Sequence, residues 1–126
     1  MLIDTQALLW WLKADAQLSS TARRAIANPE NVRLFSVAGA WELAIKCSTG
    51  KLKLAVPAGR MLSEHLPVNH TEVLAITLED LVRLESLPWH HRDPFDRVMA
   101  AQALERDLRI VSSDSIFERY GVERIW

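Results

Sequence analysis

Short apolar runs alternate along this chain with longer segments in which apolar residues recur every three or four positions. The short runs are typical of buried strands, and the longer segments are typical of helices that bury one face. The clearest helix start is Asp93-Pro94, an N-cap residue followed by proline at the first helical position. The pattern predicts strands near residues 2–3, 32–37, 72–76, 108–112 and 122–126, and helices near residues 7–12, 20–28, 38–49, 57–65, 77–87, 94–107 and 115–120.

The order of these elements predicts the fold class. Strands that alternate with helices call for a parallel sheet with helices on both of its faces. We therefore expect a three-layer α/β/α domain whose central parallel sheet has about five strands. No repeat, linker or low-complexity segment divides the chain, so residues 1–126 are expected to form a single domain.

Composition narrows the class further. The chain has 126 residues, of which 49% are hydrophobic, and its four glycines and five prolines are too few for a turn-rich β-sandwich or a disordered chain. Fifteen basic and sixteen acidic side chains give a net charge of −1, so binding to a polyanion needs a local patch or a metal. A single cysteine, Cys47, and the lack of a signal-like or membrane-spanning segment lead us to expect a soluble cytoplasmic protein.

Four acidic residues fall where a doubly wound sheet places its functional crevice, at the carboxyl ends of the strands. Asp4 ends the first strand, and Glu42 lies in the helix after the second. Asp96 lies in the first turn of the helix that Asp93-Pro94 opens, and Asp114 follows the strand near residues 108–112. We expect these four carboxylates to converge.

Clustered carboxylates repel one another, and a divalent cation relieves that repulsion. Oxygen ligands favour Mg²⁺ or Mn²⁺, and such a site can activate water against a phosphodiester. Each acid also has an ordinary structural explanation. Asp4 and Asp114 could cap helices, Glu42 could pair with Lys46, and Asp93 and Asp96 could be a cap and a helix-dipole partner. The histidines lack the spacing of zinc ligands, which leaves no competing metal site.

Four segments in order along the chain resemble the PIN-domain ribonucleases, and most closely the VapC-like toxins of bacterial toxin–antitoxin pairs. They are Met1-Leu2-Ile3-Asp4-Thr5, Ser36-Val37-Ala38-Gly39-Ala40-Trp41-Glu42, His91-Arg92-Asp93-Pro94-Phe95-Asp96-Arg97, and Ile110-Val111-Ser112-Ser113-Asp114.

The resemblance implies an endoribonuclease that depends on Mg²⁺ or Mn²⁺. Its acidic quartet would be Asp4, Glu42, Asp96 and Asp114, with Asp4 and Asp96 as metal ligands and Asp93 in support. It also implies a cognate antitoxin protein as partner, seated on an apolar face near Trp10 or Trp11, and a homodimer.

Basic residues suggest a path for RNA. The stretch from residue 43 to residue 63 contains no acid, three lysines and one arginine, which fits either an RNA backbone or a solvated face. The RNA contacts that we expect are Lys46, Lys51, Arg92 and Arg97.

Other functions remain to be weighed. Phosphatases with an aspartate nucleophile begin with Asp-x-Asp, and here the third position is Gln6. Phosphoaspartate receiver domains need adjacent acids after the first strand, which this chain lacks. A non-catalytic PIN-like binding module and a housekeeping RNA-processing nuclease stay open as alternatives.

Overall fold

The computed structural model describes all residues from Met1 to Trp126. Every predicted strand and helix is present, in the predicted order. The strands are β1 (Leu2–Ile3), β2 (Arg33–Ser36), β3 (Thr71–Leu74), β4 (Ile110–Val111) and β5 (Arg124–Ile125). The helices are α1 (Thr5–Leu12), α2 (Ser20–Ala27), α3 (Val37–Ser48), α4 (Ala58–Val68), α5 (Leu78–Ser86), α6 (Pro94–Glu105) and α7 (Ile116–Arg119).

The five strands form one sheet in the order β3-β2-β1-β4-β5, and every neighbouring pair is parallel. The chain builds the sheet outward from β1 in one direction through β2 and β3, and then in the other through β4 and β5. The strand order therefore reverses between β1 and β4, and ligands of such sheets bind at the carboxyl ends of the strands beside that reversal. The α/β fold with a central parallel sheet of five strands is confirmed.

Two apolar clusters cover the two faces of the sheet. Alternate residues of each strand point to opposite faces, so Ile3 and Val111 join one cluster while Leu2 and Ile110 join the other. The first cluster packs α1, α2 and α4 against the sheet, and the second packs α6 and α7. These helices and the sheet form the three layers that the sequence predicts.

Gly39 allows α3 to approach the start of α1 closely. A Cβ atom at this position would lie 2.8 Å from the Phe35 ring and 2.9 Å from the Thr5 hydroxyl, closer than packed side chains allow. One turn further along α3, Glu42 reaches that same Thr5 hydroxyl. The missing side chain of Gly39 thus brings an acid of α3 to the end of β1.

A buried polar network joins α5 and α6 to β2. Asp80 is almost fully buried and forms an ion pair with Arg106, and this pairing lowers the pKa of Asp80 although burial alone would raise it. Gln102 donates to the Ala75 carbonyl at 3.0 Å and accepts from the Ser36 hydroxyl at 2.6 Å. The network anchors α6, the helix that carries Asp96.

Most element boundaries differ from the prediction by one to three residues, and β4 and α4 show two of the differences. β4 is shorter than residues 108–112, because Asp107 adopts a left-handed φ of 51° and the Leu108 amide bonds back to the Ala103 carbonyl, which closes α6. Helix α4 extends past residue 65 to Val68 and includes Pro67 in its last turn.

Candidate active site

All four predicted acids line one cleft at the carboxyl edge of the sheet, beside β1 and β4. The cleft has a volume of about 180 Å³ and also contains polar side chains from α1 and α3. Its acidic lining is Asp4, Glu42, Asp96 and Asp114. A larger apolar groove of about 670 Å³ lies between α4 and β3, but Glu72 is its one acid, so the smaller cleft is the candidate metal site.

Asp4 lies at the centre of this cleft and is 7% exposed. Its carboxylate caps α1 by accepting a 2.6 Å hydrogen bond from the Ala7 amide. Burial, followed by the charges of Glu42 and Asp114, raises the pKa of Asp4 to about 6, although hydrogen bonds from Ser112 and Ala7 oppose the rise. The predicted cap and the predicted place in the cleft therefore belong to the same side chain.

Glu42 is held by two neighbours of opposite character. The Thr5 hydroxyl donates a 2.6 Å hydrogen bond to its Oε2, and the Lys46 ammonium lies 2.5 Å from its Oε1. The helical ion pair with Lys46, one of the structural alternatives considered for this residue, is thus present. Since Lys46 also lines the cleft, it brings positive charge to the edge of the acidic site.

Asp96 projects from the first turn of α6 with its side chain 25% exposed. Burial and the nearby charge of Asp93 raise its pKa to about 6, and a 3.1 Å hydrogen bond with His91 Nε2 opposes the rise. Asp93 itself caps α6, accepting from the amides of Phe95 at 2.9 Å and Asp96 at 3.0 Å. Asp93 therefore positions the helix and acts on Asp96 through its charge.

Asp114 follows β4 and lies just before α7. Its Oδ1 accepts a 2.9 Å hydrogen bond from the Ile116 amide, and its own amide donates to the Ser112 hydroxyl at 3.0 Å. Ser112 is fully buried, and its side chain also lowers the pKa of Asp4. One serine therefore links two of the four acids.

The donor set fits a hard divalent cation. Two of its carboxylates have a raised pKa because they are buried and lie near other acids, and a cation relieves both penalties. As the side chains lie, however, no three acidic, histidine or cysteine groups are close enough to hold a metal ion. Glu42 is turned toward Lys46 and Thr5, so binding a metal ion requires at least this side chain to turn into the cleft.

Of the four basic residues expected to contact RNA, three are accessible to it and one is buried. Lys51 and Arg92 are exposed, and Lys46 lines the cleft. The prediction for Arg97 is wrong, because its side chain is 4% exposed and its guanidinium donates to the Pro88 carbonyl at 2.8 Å while stacking on Trp89. A buried cation whose donors are occupied by the protein cannot also bind a phosphate.

The two tryptophans of α1 are partly buried within the chain. Trp10 packs on Trp126 with ring centroids 5.7 Å apart, and the Trp11 indole donates to the Asn69 side chain at 3.0 Å. The apolar face that we expected a partner to cover near these residues is therefore occupied in part by the protein itself.

Four polar residues of the site were assigned no role from the sequence. Thr5 and Ser112 bond to the acids directly, and His91 and Tyr120 extend from Asp96 into the protein. Thr5 and His91 lie within the sequence segments that resemble the PIN-domain ribonucleases, and that location could have pointed to a role for them. Tyr120 lies 24 residues along the chain from Asp96, and no local pattern joins them.

The helices offer no membrane span, because none is both long and apolar enough to cross a bilayer.

Comparisons with known proteins agree with this fold. A curated relative, Ribonuclease VapC22 of Mycobacterium tuberculosis, is 27% identical over 115 residues, which cover 90% of this chain and 86% of the relative. Among solved structures, VapBC2 of Rickettsia felis bound to a promoter DNA fragment superposes with a TM-score of 0.72 at 14% identity, over 99% of this chain and 98% of that one. VapBC-1 of nontypeable Haemophilus influenzae gives a TM-score of 0.68 at 13% identity, over 98% and 94%.

The family model described as PIN domain matches residues 1–123, nearly the whole chain, and therefore covers all but the last strand residues of the sheet described above. The protein therefore belongs to the PIN domain family.

Proposed function

We propose that this protein is a metal-dependent endoribonuclease that acts as the toxin of a toxin–antitoxin pair. The observation that carries the proposal is the convergence of four carboxylates from four separate segments on one cleft, with two of their pKa values raised by burial. Such a cluster is costly unless a cation or a proton neutralises it.

In this proposal, Asp4 and Asp96 hold Mg²⁺ or Mn²⁺, and Glu42 and Asp114 complete the acidic quartet. A divalent cation held there supplies activation of the attacking water and stabilisation of the charge that builds on the phosphodiester. The residues of the chain do the rest of the work. Ser112 keeps Asp4 and Asp114 in register, and Asp93 supports the turn that presents Asp96.

RNA would approach along the basic residues at the rim of the cleft. Lys46 is 44% exposed and pairs with Glu42, so it can pass from the carboxylate to a phosphate when Glu42 turns toward the metal. Lys51 and Arg92 are exposed and free to contact the backbone farther from the cleft. Phosphate contacts of this kind position a nucleic acid without reading its sequence.

The proposed biological setting is a cytoplasmic toxin with a cognate antitoxin protein. The curated relative is named a ribonuclease, and solved structures of similar fold include a toxin–antitoxin complex from Klebsiella pneumoniae, with a TM-score of 0.59. The cleft is partly open to solvent, so a separate protein can reach its acidic lining and inhibit the enzyme.

We further propose that the protein forms a homodimer. Val37, Trp41 and Ile45 recur at four-residue spacing on α3 and are all exposed, which places them in one apolar stripe. Trp41, at 59% exposure, also packs edge-on against Phe95. Light scattering of the purified protein measures its oligomeric state, and Trp41→Glu should convert the dimer to a monomer.

The function is tested by expressing the chain alone, then together with the short reading frame next to its gene. Growth arrest relieved by the neighbour, and lost in Asp96→Asn but kept in the exposed control Asp107→Asn, supports the proposal. Sequencing of RNA ends after brief expression should show new cleavage sites that Asp4→Asn abolishes. Purified protein should lose cleavage in excess chelator, and undiminished cleavage would contradict the metal mechanism.

The same experiments separate the alternatives. Normal growth with metal-active protein and no co-purifying partner would favour a housekeeping nuclease. An absence of cleavage under every metal condition, with a partner still bound, would favour a non-catalytic binding module.

A further inference from the structure

A chain of hydrogen bonds runs from the protein interior to Asp96. Arg97 Nη1 donates to the Tyr120 hydroxyl at 3.3 Å, this hydroxyl lies 2.7 Å from His91 Nδ1, and His91 Nε2 lies 3.1 Å from Asp96 Oδ2. The four residues come from the loop before α6, from α6 itself and from the end of α7. Of these four residues, only Asp96 belongs to the proposed catalytic cleft.

The Arg97 end of the hydrogen-bond chain determines which atom donates in each bond. A guanidinium has only donors, so the Tyr120 oxygen must accept from Arg97. Tyr120 is 7% exposed, and its own hydroxyl proton needs an acceptor because an unpaired buried donor is costly. The acceptor in reach is His91 Nδ1, which must therefore lack a proton.

A histidine whose Nδ1 accepts a hydrogen bond carries its proton on Nε2. His91 Nε2 then donates to Asp96 Oδ2 and fixes the plane of that carboxylate, while Oδ1 stays available to the cleft. Hydrogen-bonded partners behind a metal ligand commonly orient it in this way.

Several contacts hold Arg97, the inner end of the hydrogen-bond chain, in place. Arg97 Nη2 donates to the Leu87 carbonyl at 3.3 Å, Nη1 donates to Pro88 at 2.8 Å, and the guanidinium lies 3.8 Å from the Trp89 ring centroid. The loop before α6 thus wraps around the arginine. This explains why a charged side chain is buried so close to an acidic cleft without pairing with an acid.

We infer that His91 is a positioning residue, held by Arg97 and Tyr120 with its Nε2–H directed at Asp96, that orients Asp96 for a divalent cation. The inference rests on the proposed metal-dependent function for its purpose, but its geometry stands independently. In chemical terms, the His91 ring keeps its proton on Nε2, and the Asp96 carboxylate keeps a fixed orientation.

The first test is spectroscopic and uses the metal-free full chain. Heteronuclear NMR spectra of the imidazole nitrogens should show the Nε2–H tautomer for His91. Tyr120→Phe removes the proton donor to Nδ1 and keeps the ring that packs on His90, so the tautomer preference should weaken in this variant, where Asp96 alone still favours Nε2–H. An Nδ1–H tautomer in the wild type would overturn the inference.

The second test measures Mn²⁺ binding by calorimetry. His91→Leu should weaken the affinity about 10- to 100-fold, the usual effect of removing a residue that orients a metal ligand. His91→Gln should restore most of it, because the glutamine amide can donate from the position of Nε2. The matched control His90→Gln should bind Mn²⁺ like the wild type, and each variant's thermal unfolding is measured to confirm that it folds.

Failure of the inference and failure of the proposed function give different results. If the wild type binds Mn²⁺ and cuts RNA while His91→Leu binds Mn²⁺ equally well, the positioning role is overturned. If the wild type binds no Mn²⁺, the proposed function is contradicted, and the NMR spectra still decide whether the hydrogen-bond chain has the inferred direction.

Discussion

Replacing Asp4 with asparagine should stabilise the metal-free protein at neutral and alkaline pH. Burial and two neighbouring acids raise the pKa of Asp4 from 3.8 to about 6. The folded state therefore binds a proton more tightly than the unfolded chain does. The associated stability is fully present below about pH 4 and is lost as pH rises through about 6. Asparagine cannot ionise and remains a good N-cap, so Asp4→Asn keeps an uncharged side chain at this buried position at every pH.

The size of the effect follows from the shift. A difference of about two pKa units corresponds to about 3 kcal/mol of unfolding free energy at 1.36 kcal/mol per unit. We expect Asp4→Asn to be more stable than the wild type by up to about 3 kcal/mol near pH 8 and to be nearly equal to it near pH 4.

Urea unfolding in the presence of chelator, at both pH values, measures this difference. The control Asp107→Asn changes an exposed carboxylate whose backbone has the left-handed φ that asparagine tolerates, so it should alter stability by less than about 0.5 kcal/mol at both pH values. If Asp4→Asn were destabilising near pH 8, or shifted stability equally at both pH values, the account of a buried repelled carboxylate would be refuted.

Three further predictions test the scaffold of the site. Gly39→Ala should lower the free energy of unfolding by about 1–3 kcal/mol and reduce RNA cleavage, because the new methyl group would displace α3; unchanged urea unfolding would contradict the close contact. Asp80→Asn should cost about 2–3 kcal/mol, since it removes the buried charge that pairs with Arg106, and thermal unfolding measures the loss. Asp93→Asn retains a capable helix cap and should reduce cleavage much less than Asp96→Asn; the opposite order in a cleavage assay would reverse the roles assigned to these two acids.

Local physics explains how much of the fold was predictable. Apolar periodicity marks which segments bury a face, and a cap such as Asp93 acts within its own helix turn, so both signals lie within a few residues of the structure that they determine. The elements, their order and the parallel sheet follow from such signals. The placement of Asp4 and Asp114 at one edge also follows, because residues after parallel strands share that edge.

The tertiary structure alone decided the rest, because the deciding contacts join residues that are distant in sequence. Arg97 has the composition of an RNA contact, yet it is buried because the loop before α6 closes over it. His91 gains its relation to Asp96 from Tyr120, which a later helix supplies. The order of the strands, with β1 at the centre, depends on which apolar faces pack best together. A linear pattern contains no record of that packing, so it predicts which residues reach the cleft but not what holds them there.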